Sequence, residues 1–274
     1  MNAVKLYLIL SAVVLLIIDR LGGLFRQSNA WWVVPLLFMG IFIAFIILQL
    51  LVFVFTILLT NMKKPAKAEN FFRFVVRHTI PIFTFLARVK IEAEGTQKIP
   101  EDKNMLFVCN HQHDFDPVII LSAFPHKKIS FIGKKDILEE MPFVAKAMHL
   151  LSCLFIDREN DREAAKTIIS AIKYLKEGDR SIGLFPEGYT SKTGDLQPLR
   201  NGSLKIALKS KVKIAVCVVD NMREIPKNIC RRKTVVKFRL IDVITPELYE
   251  NMTTAELGNL IHSEMETALA DIRK

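Results

Sequence analysis

One stretch of this 274-residue chain constrains its fold more than any other: residues 27–62 contain no charged side chain, and residues 31–59 are almost wholly apolar. A membrane-spanning helix needs about 20 consecutive apolar residues, so this stretch is long enough. A shorter uncharged apolar run, residues 6–18, precedes it. Because no small-x-small cleavage site follows that first run, we interpret it as retained and not as a cleaved signal peptide.

The two runs together predict a hydrophobic helical hairpin that turns between Gly22 and Asn29, with Trp31 and Trp32 at a membrane interface. A hairpin that crosses the bilayer and one that lies in a single leaflet both satisfy this pattern. Three lysines follow the second run at once, namely Lys63, Lys64 and Lys67. Such clusters favour the cytoplasmic side, so we expect a cell-membrane protein whose main domain faces the cytoplasm.

Composition divides the chain into three predicted parts: a membrane-associated hairpin over residues 1–62, a basic amphipathic linker over residues 63–88, and an α/β domain over residues 89–274. The linker suits either the membrane surface or an ordinary helix packed on the domain. The net charge of +10 favours anionic membrane lipids and polyanionic molecules. We expect no nucleic-acid partner, because the basic residues lack the patterns of the recognised nucleic-acid-binding modules.

Short apolar segments alternate with helical patterns beyond the linker. The predicted strands are residues 89–94, 105–109, 129–132, 150–156, 181–185, 212–219 and 234–241. A capping box of Thr253 and Glu256 opens a final helix. The alternation predicts an α/β fold with a largely parallel sheet of about seven strands flanked by helices. Ligands of such sheets bind beyond the carboxyl ends of the strands.

The second predicted strand ends in a strand-to-helix turn, residues 110–117, that contains His111 and Asp116. Neither a strand nor a helix brings residues at this spacing together, but a tight bend does. Asp116 suits a helix N-cap, and Pro117 suits the first helical position. A carboxylate beside an imidazole orients the ring and stabilises the imidazolium, which is typical of a general base. The turn contains no Ser or Cys nucleophile, so this base would activate a substrate hydroxyl.

The same turn also offers a metal-binding alternative. Its four potential ligands are His111, His113, Asp114 and Asp116. The dinuclear hydrolase pattern H-x-H-x-D-H is not matched, because Phe115 and Asp116 occupy its last two places. We therefore expect no metal and no cofactor.

Asn110, His111, Asp116 and Pro117 resemble the first motif, N-H-x-x-x-x-D-P, of the glycerolipid acyltransferase family, which includes the bacterial 1-acyl-glycerol-3-phosphate acyltransferases. Segments resembling the second and third motifs follow in the family's order, F-I-D-R at residues 155–158 and F-P-E-G at residues 185–188. The resemblance covers roughly residues 89–245. It implies transfer of a fatty acyl group from acyl-CoA or acyl carrier protein (acyl-ACP) to a lysophospholipid hydroxyl. The simplest acceptor is 1-acyl-sn-glycerol-3-phosphate, which gives phosphatidic acid.

The resemblance also implies roles for individual residues. His111 is the base, and Asp116 orients it. Arg158 meets the acceptor's phosphate, whose oxygens a guanidinium binds in pairs. Gly188 permits a close backbone approach to the ligand, and Glu187 offers an acceptor for a glycerol hydroxyl.

The chain departs from the family pattern at two places. The third motif's T-R-S reads Y-T-S at residues 189–191, so its arginine is absent, and we expect Lys134 or Arg200 to replace that charge. The fourth motif lacks both of its prolines over residues 213–218. These departures leave two alternatives open: an acyltransferase for another lysophospholipid or an amine-bearing lipid, and a non-catalytic membrane-tethered lipid-binding module.

Overall fold

The structure, a computed structural model, describes residues 3–23, 32–100, 104–229 and 231–274. The α-helices are α1 Ala3–Gly22, α2 Val33–Leu58, α3 Glu69–Leu86, α4 Asp116–Ala123, α5 Ile137–Glu140, α6 Pro142–Leu150, α7 Asp161–Lys176, α8 Lys205–Ser210, α9 Glu224–Asn228, α10 Pro246–Tyr249 and α11 Thr254–Ile272. The strands are β1 Val89–Glu94, β2 Leu106–Cys109, β3 Ile129–Lys134, β4 Leu154–Ile156, β5 Ser181–Leu184, β6 Ile214–Asp220 and β7 Thr234–Ile244.

The strands form one sheet in the order β1-β7-β6-β2-β5-β3-β4. Neighbouring strands are parallel except for β6 and β7, which are antiparallel. All residues of β2 and β5 are buried, as expected for parallel strands covered on both faces by helices. The predicted α/β fold with a largely parallel seven-stranded sheet is therefore confirmed.

The region of the fourth strand differs from the sequence prediction. Only Leu154–Ile156 is a strand, whereas α6 occupies residues up to Leu150. Ser152, with a φ of 54°, makes the turn between them. Leu150 and Leu151 are buried at the end of the helix. A buried helix end and a buried strand are equally apolar, so periodicity could not separate them.

The N-terminal helices form the predicted hydrophobic hairpin. Tyr7 in α1 stacks on Phe45 of α2 at 5.7 Å and donates a hydrogen bond to Gln49 Oε1 at 2.9 Å, so the helices run in opposite directions. Gln49, a polar residue in an apolar helix, also donates to Thr79 of α3 at 2.9 Å. Residues 24–31, which include most of the predicted turn and Trp31, lie outside the described ranges.

Helix α2 is long and apolar enough, by length and composition, to cross a membrane. Its 26 residues include exposed apolar side chains such as Leu36, Phe55 and Leu58. Helix α1 carries Lys5 near its start and an Asp-Arg pair near its end. Even so, both helices of the described part of the hairpin expose large apolar side chains, Leu16 and Ile17 of α1 among them.

Helix α3 lies within the predicted basic linker and has two different faces. On the inner face, Arg73 pairs with Glu69 at 2.8 Å and donates to the carbonyl oxygen of Leu151 at 2.8 Å. The opposite face leaves Phe71 and Phe74 exposed. One face of α3 therefore packs on the domain, and the other presents aromatic side chains to the surroundings.

Candidate active site

The candidate site lies at the carboxyl ends of β2, β5 and β6, which are neighbours in the sheet. The turn after β2 carries His111, and the segment after β5 carries Glu187. The side chain of Asn110 donates to the carbonyl oxygen of Val219 at 2.9 Å and accepts from its amide at 2.8 Å. This pair of bonds fastens the end of β2 to the end of β6.

The structure brings His111 and Asp116 together. His111 Nδ1 lies 2.8 Å from Asp116 Oδ2. The Asp116 side chain is fully buried, whereas that of His111 is 18% exposed. Because Asp116 occupies Nδ1, the other ring nitrogen, Nε2, is the one that can take a proton from a bound molecule.

Asp116 does not sit at the predicted N-cap. Phe115 occupies the N-cap position of α4, and Asp116 is the first helical residue. The Asp116 carboxylate instead accepts hydrogen bonds from the amides of Gln112 at 2.6 Å and His113 at 2.9 Å. It therefore holds the turn that precedes the helix, and this moves the helix boundary by one residue.

Glu187 lies behind His111 and is fully buried. It accepts hydrogen bonds from the amides of His111 at 2.6 Å and Gln197 at 2.9 Å. Burial raises the pKa of Glu187 to about 7, against the opposing effect of these two amides. Its predicted contact with a glycerol hydroxyl stays a prediction, since both of its oxygens already accept hydrogen bonds inside the protein.

Two further residues fix the position of His111. The Phe185 ring stacks on the imidazole with ring centroids 4.4 Å apart. The amide of Ser191 donates to the His111 carbonyl oxygen at 2.8 Å. The roles of Ser191 and Gln197 were not predicted from the sequence. Ser191 matches the last position of the third motif, whereas no pattern marks Gln197. Both residues act through backbone amides on a residue far away in the sequence.

Two arginine side chains, Arg158 and Arg200, lie at Gly188, the residue after Glu187. Gly188 has a φ of 79°, and a Cβ added there would come within 2.8 Å of Arg200 Nε. Arg158 donates a hydrogen bond to the Gly188 carbonyl oxygen. Partial burial of its guanidinium, followed by the positive charge of Arg200, lowers the pKa of Arg158. The glycine thus lets the two predicted arginines converge, which favours an anion between them.

Lys134 has a different environment. Its ammonium group pairs with Asp136 at 3.0 Å and Glu140 at 3.3 Å, and hydrogen bonds to these carboxylates raise its pKa. Within the described ranges, neither Arg158 nor Arg200 forms an ion pair with a carboxylate. The arginines are therefore better placed than Lys134 to receive a new anion.

The metal alternative finds no support in the geometry of the turn. The His113 ring stacks on Phe115 at 5.3 Å, and its Nδ1 accepts from the Phe115 amide at 3.3 Å. Over the part of the chain that the structure describes, no group of three or more His, Cys, Asp or Glu side chains is arranged to hold a metal ion. That the protein needs no cofactor stays a prediction.

Comparison with known proteins identifies the class of this fold and site. A family model described as Acyltransferase matches residues 90–220, a range that contains all of the site residues described above. A 1-acyl-sn-glycerol-3-phosphate acyltransferase of Borreliella burgdorferi is 32% identical over 199 residues, which cover 70% of this chain and 78% of the relative. One from Escherichia coli is 28% identical over 187 residues, 68% of this chain and 75% of the relative. The molecule is thus an O-acyltransferase.

A solved structure supports the fold over the whole chain. The crystal structure of the 1-acyl-sn-glycerophosphate (LPA) acyltransferase PlsC from Thermotoga maritima has a TM-score of 0.62, covers 98% of both chains and is 21% identical. The 32% identity to the Borreliella burgdorferi relative shows that the chain belongs to the 1-acyl-sn-glycerol-3-phosphate acyltransferase family. The predicted family resemblance is confirmed.

Proposed function

We propose that this protein transfers a fatty acyl group from acyl-CoA or acyl-ACP to the free hydroxyl of 1-acyl-sn-glycerol-3-phosphate and so forms phosphatidic acid. The observation that carries this proposal is the bond between His111 and the buried Asp116 carboxylate, with the imidazole partly open to the surroundings. The names of the curated relatives support the same acceptor. A thioester is reactive enough that the transfer needs neither a metal nor a covalent enzyme intermediate.

In the proposed reaction, His111 Nε2 takes the proton of the acceptor hydroxyl, and the oxygen attacks the thioester carbonyl carbon. The bond between carbon and sulfur breaks, and the imidazolium returns the proton to the departing thiolate. Asp116 stabilises the imidazolium during this cycle. Glu187 acts through the His111 backbone, because its carboxylate fixes that amide at 2.6 Å. His111 therefore carries the proton both ways and ends each cycle unchanged.

Arg158 and Arg200 hold the acceptor's phosphate in this proposal. Their guanidinium groups converge at Gly188, and phosphate oxygens accept paired hydrogen bonds from such groups. Lys134 is a weaker candidate for this role, because its ammonium group already pairs with Asp136 and Glu140. Because residues 189–191 lack the arginine of the family motif, another lysophospholipid or an amine-bearing lipid is the second candidate acceptor.

We propose further that the protein works at the cell membrane, with the α/β domain on the cytoplasmic side. Helix α2 supports this, since it is apolar over 26 residues and most of its surface is unburied. The lysines after α2 favour the cytoplasmic orientation. The exposed Phe71 and Phe74 of α3 would then lie at the membrane surface.

The proposal is tested with purified protein in lipid vesicles, offered acyl-CoA or acyl-ACP together with a panel of lysolipids, with products identified by mass spectrometry. We expect phosphatidic acid from 1-acyl-sn-glycerol-3-phosphate and little product from the other lysolipids. Transfer to a different lysolipid alone would replace the proposed acceptor. Absence of any acyl transfer would refute the reaction.

The matched pair His111→Ala and His113→Ala tests the assigned base. Both remove an imidazole from the same turn, but only His111 touches Asp116 through its ring. We expect His111→Ala to lose nearly all turnover and remain folded, and His113→Ala to retain most of it. Equal losses in the two variants would contradict the assignment of His111.

A further inference from the structure

Two donors from distant parts of the chain share the same two acceptors beside the site. The Gln112 side chain, which is buried, donates through Nε2 to the carbonyl oxygen of Gly194 at 2.8 Å and to Asp220 Oδ1 at 2.9 Å. Arg273, immediately after α11, donates to the same Gly194 oxygen at 2.6 Å and to the same Asp220 oxygen at 3.1 Å. Gln112 directly follows His111, so the side chain that binds these two acceptors belongs to the residue next to the proposed base.

The loop over residues 191–197, to which Arg273 donates hydrogen bonds, also binds His111 directly. Within residues 191–197, the Ser191 amide binds the His111 carbonyl oxygen at 2.8 Å, and the Gln197 amide binds Glu187 at 2.9 Å. Glu187 in turn binds the His111 amide. Both backbone groups of His111 therefore depend on one loop. Arg273 contacts the middle of this loop a second time, through Asp195 at 3.2 Å.

We propose that Arg273 is a positioning residue for the active site: by holding both acceptors of Gln112 and the loop over residues 191–197, it keeps the His111 imidazole aligned. This rests on the proposed role of His111 as the base. Arg273 touches no reacting group, so its removal should misalign the base without removing a contact to either substrate. Small misplacements of a reacting group lower turnover far more than they lower binding.

The test compares Arg273→Ala, Arg273→Lys, Gln112→Ala and the double variant Arg273→Ala/Gln112→Ala in a steady-state assay. We expect Arg273→Ala to lower kcat about tenfold while each KM changes less than about twofold. Lysine recovers part of kcat, because its ammonium group still reaches one of the acceptors. The double variant should lose little beyond Gln112→Ala, since the two side chains act on the same acceptors. Wild-type kcat in Arg273→Ala, or fully additive losses, would overturn the proposal.

Arg239→Ala is the matched control for a general loss of α11 docking. Arg239 pairs with Asp271 of α11 at 2.6 Å and with Glu94 at 2.8 Å, away from the loop over residues 191–197. We expect Arg239→Ala to lower Tm about as much as Arg273→Ala and to keep wild-type kcat. An equal fall of kcat in both variants would mean that helix stability causes the effect, and the proposal would be abandoned.

A second readout needs no substrate. Diethyl pyrocarbonate modifies accessible imidazoles, and peptide mass spectrometry measures the rate at His111 and, as a reference, at His78 on α3. We expect a changed rate at His111 in Arg273→Ala and an unchanged rate at His78; an unchanged rate at His111 counts against the proposal. If the wild type transferred no acyl group, the proposed function would fail, yet this measurement would still decide whether Arg273 positions His111.

Discussion

Replacing Asp116 by asparagine separates the charge of this residue from its geometry. Asp116 Oδ2 accepts three hydrogen bonds, from His111 Nδ1 and from the amides of Gln112 and His113. Oδ1 is buried and has no hydrogen-bond partner among the described residues. An asparagine can place its oxygen where Oδ2 lies and its amide nitrogen where Oδ1 lies. The turn then keeps its three hydrogen bonds and loses only the negative charge.

The distance between the two groups sets the size of the effect. At 2.8 Å, an imidazolium and a carboxylate attract by about 6 kcal/mol at an effective dielectric constant of about 20. The net value of a hydrogen bond to a charged group is smaller, about 1.5–3 kcal/mol. Each 1.36 kcal/mol is a factor of about ten in rate, so Asp116→Asn should lower kcat between about 10-fold and about 2 × 10⁴-fold. KM should change little, because Asp116 lies behind His111 and away from the acceptor.

Asp116→Ala provides the comparison that identifies the cause. Alanine leaves the buried amides of Gln112 and His113 without their acceptor, at a cost of about 1–3 kcal/mol each. We therefore expect Asp116→Ala to unfold at a clearly lower temperature than wild type, and Asp116→Asn to unfold close to it. Steady-state kinetics and thermal unfolding in the same vesicles or detergent measure both quantities. An Asp116→Asn variant that keeps more than a third of wild-type kcat would refute the role given to the charge.

Three further outcomes follow from residues around the base. Burial raises the pKa of Glu187 to about 7, so its carboxyl binds a proton more tightly in the folded than in the unfolded chain. This proton binding stabilises the folded state fully at pH values below the ordinary pKa of 4.5, and the contribution, up to about 3 kcal/mol, is lost as the pH rises through 7. Glu187→Gln should remove this pH dependence of the free energy of unfolding, which denaturant unfolding at pH 5 and pH 8 measures. Gly188→Ala should raise the acceptor's KM and lower stability by about 1–2 kcal/mol, because φ is 79° and the new Cβ would push Arg200 away. Arg200→Ala should raise the acceptor's KM about tenfold or more, with the exposed Arg162→Ala of α7 as control; unchanged kinetics would remove Arg200 from the site.

The sequence predicts the sheet well because its strands are buried on both faces and appear as short apolar runs between helical patterns. It fails near the fourth strand, where a helix end and a strand are both apolar. It also predicts that His111 and Asp116 meet, since residues this close in sequence depend on local backbone geometry alone. The contact requires only one tight bend.

The surroundings of His111 could not be predicted from the sequence, because they are formed by contacts between residues far apart in the chain. Beyond Ser191, which ends the third motif, the loop over residues 191–197 matches no motif, and its amides reach His111 and Glu187 only after the sheet has formed. The raised pKa of Glu187 depends on burial, which a single sequence does not record. Arg273 gives no sequence signal at all. Its acceptors, the carbonyl of Gly194 and the carboxylate of Asp220, come from two other segments.

The strand order explains why the base depends on so many distant segments. β2 lies between β5 and β6. The turn after β2 is therefore flanked by the segment after β5, which supplies Glu187 and the loop over residues 191–197, and by the end of β6, which supplies Asp220. The central position of β2 buries Asp116 and strengthens the attraction between its carboxylate and the His111 imidazolium, since the interior screens charges less than water does. The same central position means that a displacement of either neighbouring loop also displaces the His111 imidazole. A contact that ties both loops together, as Arg273 does, is hence expected to affect turnover more than its position at the surface would suggest.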